Sequence, residues 1–326
     1  MQTTAKLFLA TSNCVAICEQ STDGWRVIRR DLMGNYATCV LALETQILVG
    51  TRNGIFRSDD GGNSWRSVNS GLNIRHIRWI SAHPGDPDRI FAGSEPAGIF
   101  ISVDGGNSWR NSPSVEVLRD AEGWYLPYSP EAGCVRGFAF SEAKSFAAVE
   151  VGGTLVTDDH GETWNLSKGP DSEDLKIHPD VHSIETHPAS AQLVAAATGG
   201  GLYYSRDSGK TWENRFPGSY CRALWWDTED AKHILLGSAD WVDRNGRIEE
   251  TWDGGMTWRL ASEGFSIPWR KNMVERFVQA GENLLAILSN GELWLSSLQQ
   301  LFWRRILPEV RDIKAASFYS LNERGQ

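Results

Sequence analysis

Short apolar runs alternate with polar turns along nearly the whole chain. QILVGT, IFRS and WRSV follow one another, separated by Arg52-Asn53-Gly54 and by an Asp-Gly cluster. LFLAT, CVAICEQ, LLAIL, ELWLS and IKAASFY repeat the rhythm elsewhere. Such runs, bounded by glycine, asparagine, aspartate and serine, read as β-strands joined by tight hairpins.

The hairpins share a tag, Ser/Thr-x-Asp-x-Gly-x-Ser/Thr-Trp, in five copies: SDDGGNSW, SVDGGNSW, TDDHGETW, SRDSGKTW and TWDGGMTW. Their aspartates, Asp60, Asp104, Asp159, Asp207 and Asp253, lie 44, 55, 48 and 46 residues apart. A period of that size marks a propeller or solenoid built from one repeated supersecondary unit. Two weaker copies, Ser21-Thr22-Asp23-Gly24-Trp25 and Ser296 through Trp303, bring the units to seven. No inner strand precedes LFLAT, and IKAASFY is left over after the last unit. The prediction is all-β: a single domain over residues 1–326, a seven-bladed β-propeller of four-stranded blades, with the last strand completing the first blade. In such a tag the Asp and Ser/Thr side chains hydrogen-bond the hairpin's own amides, the glycine tolerates positive φ, and the tryptophan packs between sheets. These aspartates are therefore structural.

Composition narrows the partners. Apolar residues make up 41% and charged residues 22%, an ordinary globular balance. A net charge of −9 argues against nucleic acid and anionic membrane as partners. Five cysteines without a Cys-x-x-Cys pair suit a reduced, cytoplasmic protein. Leu7–Ala10 is too short for a signal-peptide core, and no segment approaches a membrane span.

The tag resembles the Asp-box, or BNR repeat, of sialidases, the sortilin propeller, xyloglucan-degrading glycosidases and a photosystem II assembly factor. The resemblance implies tags on one face and a ligand site on the opposite face. That face carries the start of each inner strand and the turn before each third strand. Internal alignment puts Thr38, Arg78, Arg136, His182, Arg222, Arg276 and Lys314 at the strand starts. Ser12, Arg52, Glu95, Glu150, Thr198, Asp240 and Ser289 fall in the turns. The expectation is an arginine-lined central funnel punctuated by carboxylates. Arginine forks suit carboxylate, phosphate or sulfate, so the expected partner is an anionic small molecule or glycan.

Arg52, Arg78, Arg136, Arg222, Arg276, Lys314 and Asp240 are the expected ligand-binding residues, with Trp124 and Tyr220. Glu95 and Glu150 are the candidate general acid and base, assisted by His182, in a glycosidase-like hydrolase or lyase. Sialidase likeness also implies a tyrosine nucleophile, for which Tyr220 is the nearest candidate, although the sialidase Arg-Ile-Pro signature is absent. The alternative is a non-catalytic propeller that binds a protein partner on the same face, as an assembly factor does. A third account is that arginines and glutamates simply pair with each other and hold the blades. Three loops are candidate walls: Asn111–Gly133 with Trp124, Tyr125, Pro127, Tyr128 and Pro130; Asp240–Arg244; and Ile267–Lys271. No cofactor is expected, since phosphate-binding and nucleophile-elbow motifs are missing. No metal is expected either: His182 lacks a His-x-x-x-His partner and sits among arginines, so it reads as a hydrogen-bonded, ligand-facing side chain. Cys134 and Cys221 read as buried packing residues.

Overall fold

A computed structural model describes residues 5–126, 133–170 and 176–320. Among them, 28 strands form seven four-stranded antiparallel sheets. The inner strands are Ile313–Tyr319, Ala37–Ala42, Ile77–His83, Cys134–Phe140, Val181–His187, Tyr220–Trp226 and Val274–Ala280, in blades one to seven. Each packs against the inner strands of the two adjacent blades, and the sequence of contacts closes into a ring. Closure is by Ile313–Tyr319, which pairs antiparallel with Lys6–Thr11, from Lys6 opposite Tyr319 to Thr11 opposite Ile313. The first blade thus joins the two ends of the chain and leaves no free inner edge.

The five tags build one repeated lock. In each, the first Ser/Thr hydroxyl donates to the aspartate Oδ1 at 2.7–2.8 Å. The same hydroxyl accepts the glycine N–H at 2.7–3.0 Å. The aspartate Oδ1 accepts the N–H of the last Ser/Thr at 2.9–3.0 Å. The glycine is required: at Gly161, φ is +91° and an added Cβ would lie 2.6 Å from Phe91. The degenerate seventh tag keeps the serine half, with Ser296 Oγ accepting the Phe302 N–H at 2.7 Å.

Each tag is also clamped by the blade before it. Arg29 donates to the Gly62 carbonyl, Arg57 to Gly105, Ser112 to Gly161, Ser167 to Gly209 and Arg215 to Gly254. Tryptophans seal the same seams. Trp109, Trp164, Trp212 and Trp303 are buried, and the indoles of Trp109 and Trp303 donate to Val68 and Ala261 carbonyls of the preceding blade at 2.9 Å. The core is accordingly a ring of inter-blade clusters.

One element lies outside the strand pattern. The long connection after Asn111 opens with a helix, Pro113–Glu122, that starts on a proline and ends at Gly123 in the left-handed conformation. It buries Val115 against the seam of blades three and four. Half of the expected loop is therefore a brace on that seam; Pro127, Tyr128 and Pro130 lie outside the described residues.

Candidate functional site

Every inner strand carries one extra residue near its start. The ladder skips Thr38, Arg78, Arg136, His182, Arg222, Glu275 and Lys314 in the seven blades. Such a β-bulge leaves one residue outside the pairing and re-aims its side chain, a device common at barrel rims and binding sites. Six of these positions match the alignment made from sequence; the seventh does not. Glu275, not Arg276, is the bulged residue of blade seven. Arg276 occupies the next position, where the other blades have Cys39, Trp79, Gly137, Ser183, Ala223 and Ala315.

That one-residue offset organises the funnel. Glu275 reaches across the axis and accepts from Arg136 Nη2 at 3.1 Å, while its other oxygen pairs with Arg222. Burial opposes its charge, but Arg222 and then Arg136 hold the carboxyl down at about 2. Arg276 reaches blades three and four. Its guanidinium lies 3.8 Å from the Trp79 ring centroid and donates to the Arg136 carbonyl at 3.2 Å. Burial, and next the charge of Arg136, bring its pKa down to about 9.

A cavity of about 200 Å³ opens above these groups, lined by Tyr36, Thr38, Arg78, Arg136, Glu275, Arg276, Ser289 and Lys314 among others. Four lining residues are cationic and one is acidic. Arg78 is paired with Glu95 at 2.9 Å. Among the described residues, neither Arg276 nor Lys314 has a carboxylate within ion-pair distance. Beneath it the channel narrows to a space of about 70 Å³ walled by Trp79, Phe138, Glu185, Glu275 and Arg276. Glu185 is wetted by the channel yet surrounded by protein, and burial pushes its carboxyl up to about 7. Sequence reasoning passed over Glu185 because in HSIETH it reads as an ordinary strand residue.

The remaining candidates divide. Glu150 is buried and accepts from Arg136 Nη1 at 3.1 Å and from the Cys134 thiol at 3.2 Å. Glu95 is buried against Arg78, with His76 Nδ1 at 3.8 Å. Burial first, then Arg78 and Arg52, bring that histidine down to about 4. Arg52 stacks 3.9 Å over Tyr36 at the rim. His182 is fully buried beside Asp180, 3.2 Å from its Oδ2, an oxygen that also accepts from the Tyr220 hydroxyl at 3.2 Å. Burial, then Asp180, push the Tyr220 hydroxyl well above its ordinary range, so it stays protonated and is a poor nucleophile.

Two expected wall residues stand elsewhere. Trp124 is buried in the seam of blades three and four, where it borders a separate cleft with Gly152 and Lys168. Its neighbours demand a large apolar side chain there. Asp240 is exposed on the turn of blade six, tied to Arg247 at 3.0 Å and Asn245 at 2.9 Å. Beside it, Trp241 is 63% exposed. Trp269 packs on Phe265, their ring centroids 4.4 Å apart, and serves the core. All five cysteines are buried and none is bonded to another. Burial raises the Cys134 and Cys221 thiols far above their usual range, as expected of packing residues.

No family model matches the sequence, and no curated protein matches it. Solved structures do. A GH74 xyloglucanase from Xanthomonas campestris is 17% identical, with a TM-score of 0.63 over 85% of this chain and 46% of that one. This chain therefore spans under half the length of that enzyme. YCF48 from Cyanidioschyzon merolae is 15% identical, with a TM-score of 0.61 over 95% of this chain and 97% of that one. A YCF48 bound to D1 peptide is 14% identical, with a TM-score of 0.60 over 88% and 86%. At these identities the likeness is one of architecture: the chain is a seven-bladed β-propeller.

Proposed function

We infer that the protein binds a small anion, of carboxylate or acidic-sugar type, in the axial funnel. One observation carries this reading. Among the described residues, Arg276 and Lys314 face a cavity with no carboxylate in ion-pair reach of either, and burial, then the neighbouring charge of Arg136, lower the Arg276 pKa to about 9. A ligand carboxylate or sulfate relieves that crowding and meets arginine's forked donors.

Binding is favoured over turnover. Glu95 and Glu150 serve as counter-ions to Arg78 and Arg136, and Tyr220 holds its proton. A hydrolase needs two carboxyl groups flanking the scissile bond, and Glu275 is the one carboxylate among the described residues of the cavity wall.

A second reading has its own support. Trp241 is exposed on the same face, and the YCF48 propeller of similar extent is bound to a peptide. There the anion is a peptide's carboxylate and the partner a protein. Buried, unbonded cysteines fit a reducing, cytoplasmic setting for either.

Calorimetric titration with glucuronate, N-acetylneuraminate and a peptide with a free C-terminal carboxylate tests the proposal. Arg276→Met and Lys314→Ala should each weaken binding at least ~10-fold, about 1.4 kcal/mol. Glu150→Gln should leave product formation absent, as in the wild type. Equal affinity in the Arg276 and Lys314 variants removes the funnel as the site, and turnover abolished by Glu150→Gln replaces binding with catalysis.

A further inference from the structure

Next to the cationic cavity, blades four and five bring Glu150, Asp180 and His182 together. One ligand atom from each lies within 4.8 Å of the others. His182 has no exposed surface, and among the described residues neither of its ring nitrogens makes a hydrogen bond. Its Nε2 stands 3.2 Å from Asp180 Oδ2, within ion-pair distance of that oxygen. Asp180 Oδ1 is also buried without a donor. Buried polar atoms are nearly always satisfied, so a fully buried imidazole with no hydrogen bond among the described residues, beside two carboxylates, calls for a partner from outside the chain.

We propose that Glu150, Asp180 and His182 form a site for one divalent transition cation of the zinc or manganese kind. One imidazole and two carboxylates are a donor set of borderline hardness that suits such ions. Two ligand atoms at about 2.1 Å from a shared cation, separated by about 90–110°, stand about 3.0–3.4 Å apart. The His182–Asp180 distance of 3.2 Å falls inside that range. Glu150, with a carboxylate oxygen within 4.8 Å of both, is near enough to complete the set by a side-chain rotation.

The surroundings support the assignment. Metal-bound carboxylates are held in place by outer hydrogen bonds. Here the Tyr220 hydroxyl donates to Asp180 at 3.2 Å, and Arg136 to Glu150 at 3.1 Å. Charge agrees too. Arg136 pairs with Glu150 and Glu275, and Arg222 with Glu275, and among the described residues Asp180 has no guanidinium within ion-pair distance. Three protein ligands leave a coordination position for water or a small anion.

The test uses full-length protein stripped with chelator and titrated with zinc chloride or manganese chloride alone. The expected result is one equivalent per chain, a rise in melting temperature, and visible absorption bands when cobalt chloride replaces zinc. Asp180→Asn and Glu150→Gln should each weaken binding at least ~10-fold, while His83→Asn, on the opposite face, should leave it unchanged. Circular dichroism confirms that each variant is folded. Should a variant fail to fold, the cobalt spectrum of the wild type decides alone: an octahedral aqua-like spectrum overturns the site. So does the absence of saturable binding, binding that both carboxylate variants leave intact, or binding lost in His83→Asn.

Discussion

The two faces of this propeller satisfy their polar groups in opposite ways. On the tag face, Ser, Thr, Asp and Gly within eight residues satisfy one another, and each lock repeats with distances that differ by no more than 0.3 Å. On the funnel face, pairs within a blade such as Arg78–Glu95 are joined by partners from other blades: Arg136 meets Glu275 139 residues away, and Arg276 meets Arg136 across 140. Local satisfaction yields stability without a ligand. Satisfaction from across an axis leaves groups such as Arg276, Lys314 and His182 incompletely matched, and those are the groups a ligand can engage.

The strongest challenge to this contrast is to open the ring. Deleting residues 311–326 removes the inner strand of blade one and exposes the edge of Lys6–Thr11. The expected outcome is loss of cooperative unfolding, read by calorimetry; a retained melting temperature refutes closure by that strand. Next in size, Trp212→Ala on a tag-face seam should cost about 3–5 kcal/mol in denaturant unfolding, because the ring is fully buried in the blade-five cluster. Arg276→Met in the funnel should do the reverse: anion binding falls while the melting temperature holds or rises. A large destabilisation there makes Arg276 a structural strut.

The subtlest difference is in pH dependence. Asp60, Asp104 and Asp159 are held at about 2 by their tag hydrogen bonds, against about 3.9 in an unfolded chain. Lowered folded-state values mean stability present above pH ~4 and lost as pH falls toward 2. Glu185 has the opposite sign. Raised to about 7 by burial, it contributes stability that is complete below its unfolded value of about 4.3 and lost as pH rises through 7. Glu185→Gln should flatten the decline between pH 5 and 8 and leave the acid limb unaltered. Urea midpoints from pH ~2 to 8 read both limbs, and an unchanged slope between pH 5 and 8 places Glu185 outside the linkage.

Much of the site was half visible beforehand. Arg78, Arg136, Arg222 and Lys314 lie where the aligned strand starts place them, because their blades begin with the same number of residues before the bulge. Glu275 was missed and Arg276 misplaced because a bulge shifts every later side chain by one, and nothing in VERFVQA marks which residue the ladder skips. Asp180 was overlooked since it precedes its strand. Trp124 looked like a platform; its aromatic character instead fills a seam beside a helix whose signals, Ser112, Pro113 and Gly123, were present but unread.

Seven units, four strands each, and the use of the terminal strand to close the first blade all follow from residues near one another in the chain. The tag is a local hydrogen-bond circuit and therefore repeats wherever its letters do. Which charges meet at the axis is a different kind of question. It depends on how seven bulges point side chains from distant blades into one shared space. Arg276's crowding, His182's missing partners and Glu185's raised pKa exist only once the ring has closed, because burial and Coulomb interaction depend on distance through space.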